Sequence, residues 1–410
     1  MRAVVLGAGG GIGATAARTL AIAGGFDELV LADLDPEAAA DAANDWPEVT
    51  CTLHTAGVDV SDPIALAELL TGADIVVNCV GPFYRFGPPT LAAAIAAGVP
   101  YVDVCDDLAP TLQMLELHDE AVAAGIPALI GMGNSPGLAN VLVKYCADNL
   151  LDTVTEVDIL HIHGGEPTEG AAVLKHRIHA MTSDVPVWQD GAERTVRMLE
   201  PSGAEFITDV DFRQVGTYPV YPYPHPETVT LPRNLPDLRR ATNRGVVFPL
   251  SYFELTADLV RAGLCGTDPL LVYGEPVVPI DFAVAHLIDQ RPRLLAEADI
   301  TEPGGCLRID VAGTKDGADH RFVFSLSSQG SGAAEGTGIP AALGAIMMSR
   351  GDLATPGVYP PEGLVDPLAM LTLATQLLPQ LDVAGTGGSL PIHIAHIDPE
   401  GRVSEVDLFA

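Results

Sequence analysis

A glycine cluster, Gly7-Ala8-Gly9-Gly10-Gly11-Ile12-Gly13, follows an apolar run over residues 2–6 and precedes an alanine-rich amphipathic stretch over 14–23. A second apolar run, 29–32, ends at Asp33, twenty residues after Gly13. The chemistry this order supports is the grip of an adenine dinucleotide. Glycine makes the tight turn, the first N–H groups of the helix face a pyrophosphate, and the acid after the second strand takes two ribose hydroxyls. Two registers are open, Gly7-x-Gly9-x-x-x-Gly13 and Gly9-x-Gly11-x-x-Ala14; in both, the phosphate lies against residues 9–13. A carboxylate at Asp33 repels the 2′-phosphate of NADP and suits the 2′-hydroxyl of NAD, and Ala32, Leu34 and Asp35 supply no arginine. NAD is therefore favoured over NADP. Asp59 and Val60 form a plausible edge for the adenine. Cys79, Gly81, Pro82 and Phe83 follow the expected fourth strand and should pass close to the nicotinamide.

The candidates for reaction chemistry come next along the chain. Tyr84 either offers a hydroxyl to the substrate or, with Phe83, only walls the pocket. Asp103, with Cys105, Asp106 and Asp107, follows the fifth strand. Its carboxylate could hold a substrate ammonium or act as a base if burial raises its pKa, or the group could simply cap the next helix. Asn134 and Ser135 follow the sixth strand, where they either bind the carboxamide or the substrate, or cap the helix ahead. Lys175-His176-Arg177 is a dense basic triplet in an acidic chain and suits a substrate carboxylate. Arg213 and Arg233 are further carboxylate clamps. His225, with Tyr221 and Tyr223, lies on the proline-tyrosine segment 218–226 and is a candidate for proton transfer. His161, His163, His176 and His179 lack the cysteine or carboxylate pattern that would complete a metal site, so no metal is expected. The Tyr-x-x-x-Lys pair of short-chain dehydrogenases is absent.

The elements that position these residues read as alternating strand and helix. Strands are expected at 2–6, 29–32, 49–54, 74–79, 101–104 and 127–130, and helices at 14–23, 36–44, 63–70, 88–97 and 111–124. That is a doubly wound parallel sheet, an α/β dinucleotide-binding domain over 1–131. Beyond it, 137–149 reads as helix and 154–163 as strand. Alternation of apolar and polar residues at 195–199, 308–312 and 320–327 suits antiparallel strands with one solvated face. A second, α+β domain with a mixed sheet is expected over 132–339. Residues 340–410 should pack back on both, through helices at 338–348 and 367–378 and a hairpin of 392–398 with 402–408. So many prolines in 218–226 predict an irregular, rigid loop.

Composition sets the bounds. The 410 residues suffice for two domains. Against 54 acids stand 21 bases, only three of them lysine, for a net charge of −33. Such a surface repels nucleic acid and acidic membranes, so neither is expected as a partner. Adaptation to concentrated salt and a GC-rich genome that favours arginine explain it equally well. No apolar run approaches the roughly 20 residues of a membrane helix. Six scattered cysteines without a CxxC pair read as reduced thiols. With the first strand beside Met1 leaving no room for a signal peptide, a cytoplasmic protein is expected.

Several segments together resemble the saccharopine dehydrogenase-like family. They are the glycine loop; Val80-Gly81-Pro82-Phe83-Tyr84; Ala96-Ala97-Gly98-Val99-Pro100-Tyr101-Val102-Asp103; residues 131–140, with Asn134, Ser135, Pro136, Gly137 and Asn140; Thr337-Gly338-Ile339-Pro340-Ala341-Ala342; and Gly357-Val358-Tyr359-Pro360-Pro361-Glu362 with Asp366-Pro367. The resemblance implies hydride transfer between a nicotinamide and a carbon bearing nitrogen, in a small amine or amino-acid substrate of polyamine-like kind. It implies a second domain that carries substrate contacts and a homodimer interface. Saccharopine reductases commonly carry Asp before the Pro-Gly pair where this chain has Ser135, which argues against a saccharopine-type substrate. Two other functions stay open: a homospermidine synthase-like transferase that reduces and reoxidises NAD within one turnover, and a non-catalytic dinucleotide-binding protein.

Overall fold

A computed structural model describes residues 1–44, 46, 49–329, 333–381, 383 and 390–408. The chain divides into two compact units, Met1–Leu150 with Ala333–Leu390, and Leu151–Gly332 with Pro391–Ala410. This departs from the boundaries expected at 131 and 339. The helices Leu138–Tyr145, Ala333–Ser349 and Pro367–Leu381 belong to the first unit, and the last two return to it after the main segment of the second unit, Leu151–Gly332, has been made. Their apolar faces supply core for the parallel sheet, a demand that chain order does not reveal.

In the first unit a seven-stranded sheet runs in the order Gly357–Tyr359, Pro127–Leu129, Tyr101–Asp103, Ile75–Asn78, Arg2–Leu6, Glu28–Asp33, Thr52–Gly57. Every pairing is parallel. Six of these strands are those expected, and Gly357–Tyr359 is added at the edge. The inner strands are apolar and fully covered, as a parallel sheet with helices on both faces requires. The strand order reverses between Arg2–Leu6 and Ile75–Asn78, which is where such sheets bind ligands. Three local expectations shift. The third strand spans Thr52–Gly57, the helix expected from 88 begins at Phe83, and 111–124 divides into Leu108–Leu115 and His118–Ala124. Pro88, the first residue of the expected helix, instead lies inside the helix that Pro82 caps.

The second unit holds a ten-stranded mixed sheet. At its centre Thr153–Gly164 pairs in parallel with Arg240–Phe248 and antiparallel with Gly304–Lys315. The helices Ala171–Thr182, Leu250–Arg261 and Pro279–Glu297 share a core with it, through Leu174, Ile178, Tyr252 and Leu287 against Leu160 and Ile162. The segment expected as an irregular loop is in part a strand, Gly216–Pro222. It runs beside Thr208–Phe212 but meets Arg240–Phe248 only at Tyr221 and Pro222. Much of one side therefore carries no ladder, the setting in which a strand tolerates proline. Only 223–226 remains irregular, and it carries Tyr223 and His225.

Candidate active site

The glycine loop is shaped by backbone contacts. Gly7 adopts a positive φ of 80°, and the N–H groups of Gly7 and Ala8 both donate to Ala32 O. A Cβ on Gly13 would stand 2.1 Å from Gly7 O, so only glycine lets the helix Gly11–Ala23 start this close to the first strand. A Cβ on Gly9 would press on the Asp33 carboxylate at 3.1 Å, and Gly9 N donates to Asp33 Oδ2 at 2.9 Å. Gly10 and Gly11 tolerate a Cβ at 3.5 Å from its nearest neighbour. The tight positions are thus 7, 9 and 13, which favours the first of the two registers. The helix start has no side-chain cap and no acid in its first turn. Its opening N–H groups suit an anion, and Asp33 stands beside them. These residues fit an adenine dinucleotide.

At the carboxyl ends of the neighbouring strands lies a buried relay that the sequence reading had only in part. Asn78 Oδ1 accepts from Val80 N at 3.0 Å, and its Nδ2 donates to Tyr101 Oη at 2.9 Å. Tyr101 donates in turn to Asp103 Oδ2 at 2.9 Å. Asp103 Oδ1 accepts from Cys105 N and from Gly131 N, at 3.0 and 2.7 Å. Three loops are tied to one carboxylate. Asp103 is completely buried, which suits an organising group better than the proton-transfer role considered for it. Asn78 and Tyr101 went unread as site residues; the signal was Asn78 standing opposite Asp103 on adjacent apolar strands, with Tyr101 two residues before Asp103 on the same face.

Burial pushes the Asp103 carboxyl up to about 6, against the pull of its three donors. The folded state therefore holds this proton more tightly than the unfolded chain does. Its stabilising contribution is complete below about pH 4 and is lost as pH rises through about 6. The displacement corresponds to about 3 kcal/mol. Asp103→Asn should remove that slope: measured by chemical denaturation, the stability of native relative to variant should fall by about this amount between pH 4 and 7. An unchanged difference would rule out the buried, raised carboxyl.

In the second unit the central strands bring three histidines together. His161 and His163 alternate on Thr153–Gly164, and His225 follows the proline strand. The His161 ring lies 5.7 Å from that of His225, 6.4 Å from His163 and 5.3 Å from Tyr223. Gly245 makes room for it, because a Cβ there would stand 1.9 Å from the imidazole. His161 Nε2 meets Asn243 Oδ1 at 3.2 Å, Asn243 Nδ2 donates to Glu227 Oε1 at 3.3 Å, and Glu227 Oε2 lies 3.4 Å from His225 Nδ1. Burial, then the neighbouring imidazoles, hold His161 well below the usual histidine value. His163 is also held down, by desolvation first and then by Arg177. His161 and His163 are therefore neutral at pH 7, able to accept a proton or to meet an amine without repelling it. Beside them Arg177 grips Glu169 through both guanidinium nitrogens, Arg291 reaches the same carboxylate at 3.1 Å, and both lie over the Tyr252 ring.

Comparison with known proteins decides the family. Residues 3–129 match the saccharopine dehydrogenase NADP binding domain, and residues 133–385 match the saccharopine dehydrogenase C-terminal domain. The chain belongs to the saccharopine dehydrogenase family. It is 28% identical to carboxyaminopropylagmatine dehydrogenase of Synechocystis sp. over 88% of this chain and 92% of that protein. It is 27% identical to carboxynorspermidine synthase of Vibrio cholerae, over 78% and 80%. The apo saccharopine dehydrogenase (L-Glu forming) of Saccharomyces cerevisiae shares the fold, with a TM-score of 0.69 at 15% identity, covering 99% of this chain and 100% of that one. This saccharopine dehydrogenase-like protein is an oxidoreductase that uses a nicotinamide dinucleotide.

Against that frame of family and geometry, the other candidate residues separate. On the helix Ala171–Thr182 the basic triplet points in different directions, since successive residues are about 100° apart. Lys175 is exposed and pairs with Asp281 at 2.7 Å, His176 is half-buried, and Arg177 alone turns inward. Lys175, expected to hold a substrate carboxylate in the reaction, is instead engaged in this surface ion pair. Arg213 is exposed in the turn between two strands of the second unit and lies outside the histidine cluster. Phe83 packs in the core of the first unit, whereas Tyr84 is 65% exposed. Asp59 closes a turn by accepting from Ser61 N at 2.9 Å, and Val60 is buried. Cys79 backs the glycine loop, its carbonyl 3.0 Å from where a Gly7 Cβ would stand. Asn134 and Ser135 sit half-buried in a loop closed by Gly133 N to Pro136 O at 2.9 Å. That loop spells Gly133-Asn134-Ser135-Pro136-Gly137, the spacing of a hydrolase nucleophile elbow. Pro136 removes the N–H that such an elbow uses for its oxyanion hole, so the pattern carries no hydrolase chemistry. Glu227, Asn243, Gly245, Glu169 and Arg291 were missed. Their one signal was a polar break, Asn243-Arg244-Gly245, inside an otherwise strand-like run. Among the described residues, no group of His, Cys, Asp and Glu is arranged to hold a metal ion, and no helix is long and apolar enough to cross a membrane.

Proposed function

We propose that the chain transfers hydride at a carbon–nitrogen bond of an amine that also carries a carboxylate, with NAD as the preferred dinucleotide. The observation that carries this reading is the cluster of His161, His163 and His225 beside two buried arginines. A neutral imidazole accepts a proton from an amine as it becomes an imine, or returns it in the reverse direction. The Arg177–Arg291 pair is shaped for a carboxylate and already grips one, that of Glu169. Exchange of that group for a substrate carboxylate leaves the charge balance of the pair unchanged. The two relatives support the substrate class, since both names describe carboxylated amines. A bound nicotinamide dinucleotide supplies the hydride acceptor or donor. Gly7, Gly9 and Gly13 shape its cradle, and Asp33 takes the adenosine ribose.

Asp33 decides between the dinucleotides. NADH should bind at least about tenfold more tightly than NADPH, a difference of about 1.4 kcal/mol, and Asp33→Ser should erase most of the gap. Calorimetry on the purified chain, at low and at molar salt, checks this. A native preference for NADPH would remove Asp33 from the ribose. The substrate class is checked by screening carboxylated amines for NAD reduction. Net release of NADH with one amine supports the reading. Amine exchange without NADH release would replace it with the internal-redox transferase.

A further inference from the structure

Tyr101 is completely buried in the short strand Tyr101–Asp103 of the first unit. A phenylalanine would fill the same space with no polar group to satisfy, so the hydroxyl needs a use. The strand register supplies one. Asn78 stands opposite Asp103, and Tyr101 stands opposite Val76, one side-chain repeat earlier. Residues two apart on a strand share a face and lie roughly 6.6 Å apart, so the long phenol ring can carry its hydroxyl along the strand to the level of both. There it accepts from Asn78 Nδ2 and donates to Asp103 Oδ2, each at 2.9 Å.

These groups lie in one half of the sheet. Apart from the edge strand Gly357–Tyr359, the strand order is that of two halves. One holds Arg2–Leu6, Glu28–Asp33 and Thr52–Gly57, and the other Ile75–Asn78, Tyr101–Asp103 and Pro127–Leu129. In such a sheet each half takes one nucleotide of the pair. The half with the glycine loop and Asp33 takes the adenosine, which leaves the other for the nicotinamide. The two halves are held differently. In the first, Gly7 N and Ala8 N donate to Ala32 O, and Gly9 N donates to Asp33. In the second, Asn78 Oδ1 holds Val80 N, Asp103 Oδ1 holds Cys105 N and Gly131 N, and Asp103 O accepts from Met132 N at 2.7 Å. Tyr101 joins the turn held by Asn78 to the two loops held by Asp103.

We infer that Tyr101 is a positioning residue for the nicotinamide end of the dinucleotide: through Asn78 and Asp103 it holds the turns at Val80, Cys105 and Gly131 as one surface. The adenosine end does not depend on it. The inference rests on the dinucleotide reading of the proposed function. The test uses ADP-ribose, which carries the adenosine end and lacks the nicotinamide. Calorimetry on the full chain compares NADH with ADP-ribose in the native protein and in Tyr101→Phe, which keeps the ring and removes the hydroxyl. In the variant Asn78 Nδ2 and Asp103 Oδ2 lose their shared partner while buried, so NADH should bind about tenfold more weakly and ADP-ribose within about twofold of native. Equal weakening of both ligands marks a merely structural role and overturns the inference, as does no weakening of either. A second measurement needs only the native chain. Amide hydrogen exchange at Val80, Cys105 and Gly131 should be slowed about tenfold more by saturating NADH than by saturating ADP-ribose. Equal slowing by the two ligands overturns the inference even where Tyr101→Phe fails to fold. A native chain that binds neither ligand would instead overturn the dinucleotide reading itself.

Discussion

Replacing His161 with asparagine should lower kcat for amine oxidation by about 10²–10⁴-fold, the range lost when a positioned proton-transfer group is removed. The affinity for NADH should stay as it is. The expectation follows from charge and place. The imidazole is held neutral by burial and by two neighbouring imidazoles, so at pH 7 it is ready to take a proton. It sits at the centre of the cluster, within ring contact of His163, Tyr223 and His225. Because folding keeps it neutral, acidification below its ordinary value near 6.5 should cost stability as well as activity, whereas the rate should change little between pH 7 and 8 on its account. Lys175→Ala is the matched control: its exposed pair with Asp281 is worth about 0–1 kcal/mol, and activity should be untouched. Steady-state kinetics at saturating NAD, with NADH binding measured separately, distinguish the outcomes. Full activity in the His161 variant would move proton transfer out of this cluster.

The contrast between these two residues shows what the sequence can and cannot tell. The dinucleotide cradle was legible because its parts are local. Strand, glycine turn, helix and acid all fall between residues 2 and 33, and each follows from a short-range rule. The histidine cluster is not local. His161, His225 and Asn243 meet because Thr153–Gly164 pairs with Arg240–Phe248 and the proline strand delivers 223–226 to the same place. Pairing across such separations leaves no periodic trace, and a strand containing Pro219 and Pro222 was read as a loop. The basic triplet misled for the opposite reason. Adjacency in sequence suggested a shared target, but a helix turns each residue away from the last, so one faces solvent and one the core. Asp103 was found as a group, but its use was not, since the relay through Asn78 and Tyr101 depends on the register of adjacent strands.

The glycine loop supports the second large effect, and it separates positions that the sequence leaves equivalent. Gly13→Ala should abolish measurable NADH binding and lower the thermal midpoint by several degrees, while Gly11→Ala should leave the midpoint unchanged or slightly raised. Both residues lie at the start of the helix Gly11–Ala23. At Gly13 the added methyl would lie 2.1 Å from Gly7 O and 2.6 Å from Gly7 C, so backbone must move. Overpacking of this kind costs roughly 1–3 kcal/mol, and more where no flexible side chain can yield. The yielding cannot come from the far side either. The helix Ala333–Ser349 is pressed against the same helix, with a Gly338 Cβ position only 2.6 Å from Ile12 O. The forced shift therefore falls on the turn whose N–H groups face the phosphate. At Gly11 the nearest neighbour of an added methyl, Ala334 Cβ, is at 3.5 Å, an ordinary contact. Removing a helical glycine there gains up to about 1 kcal/mol from the unfolded chain. NADH binding to the Gly11 variant should weaken but persist, since the loop keeps its path and only the approach of the phosphate is narrowed. Equal loss in both variants would mean that the register Gly9-x-Gly11-x-x-Ala14 holds the phosphate. Loss in neither would take the dinucleotide away from this loop altogether.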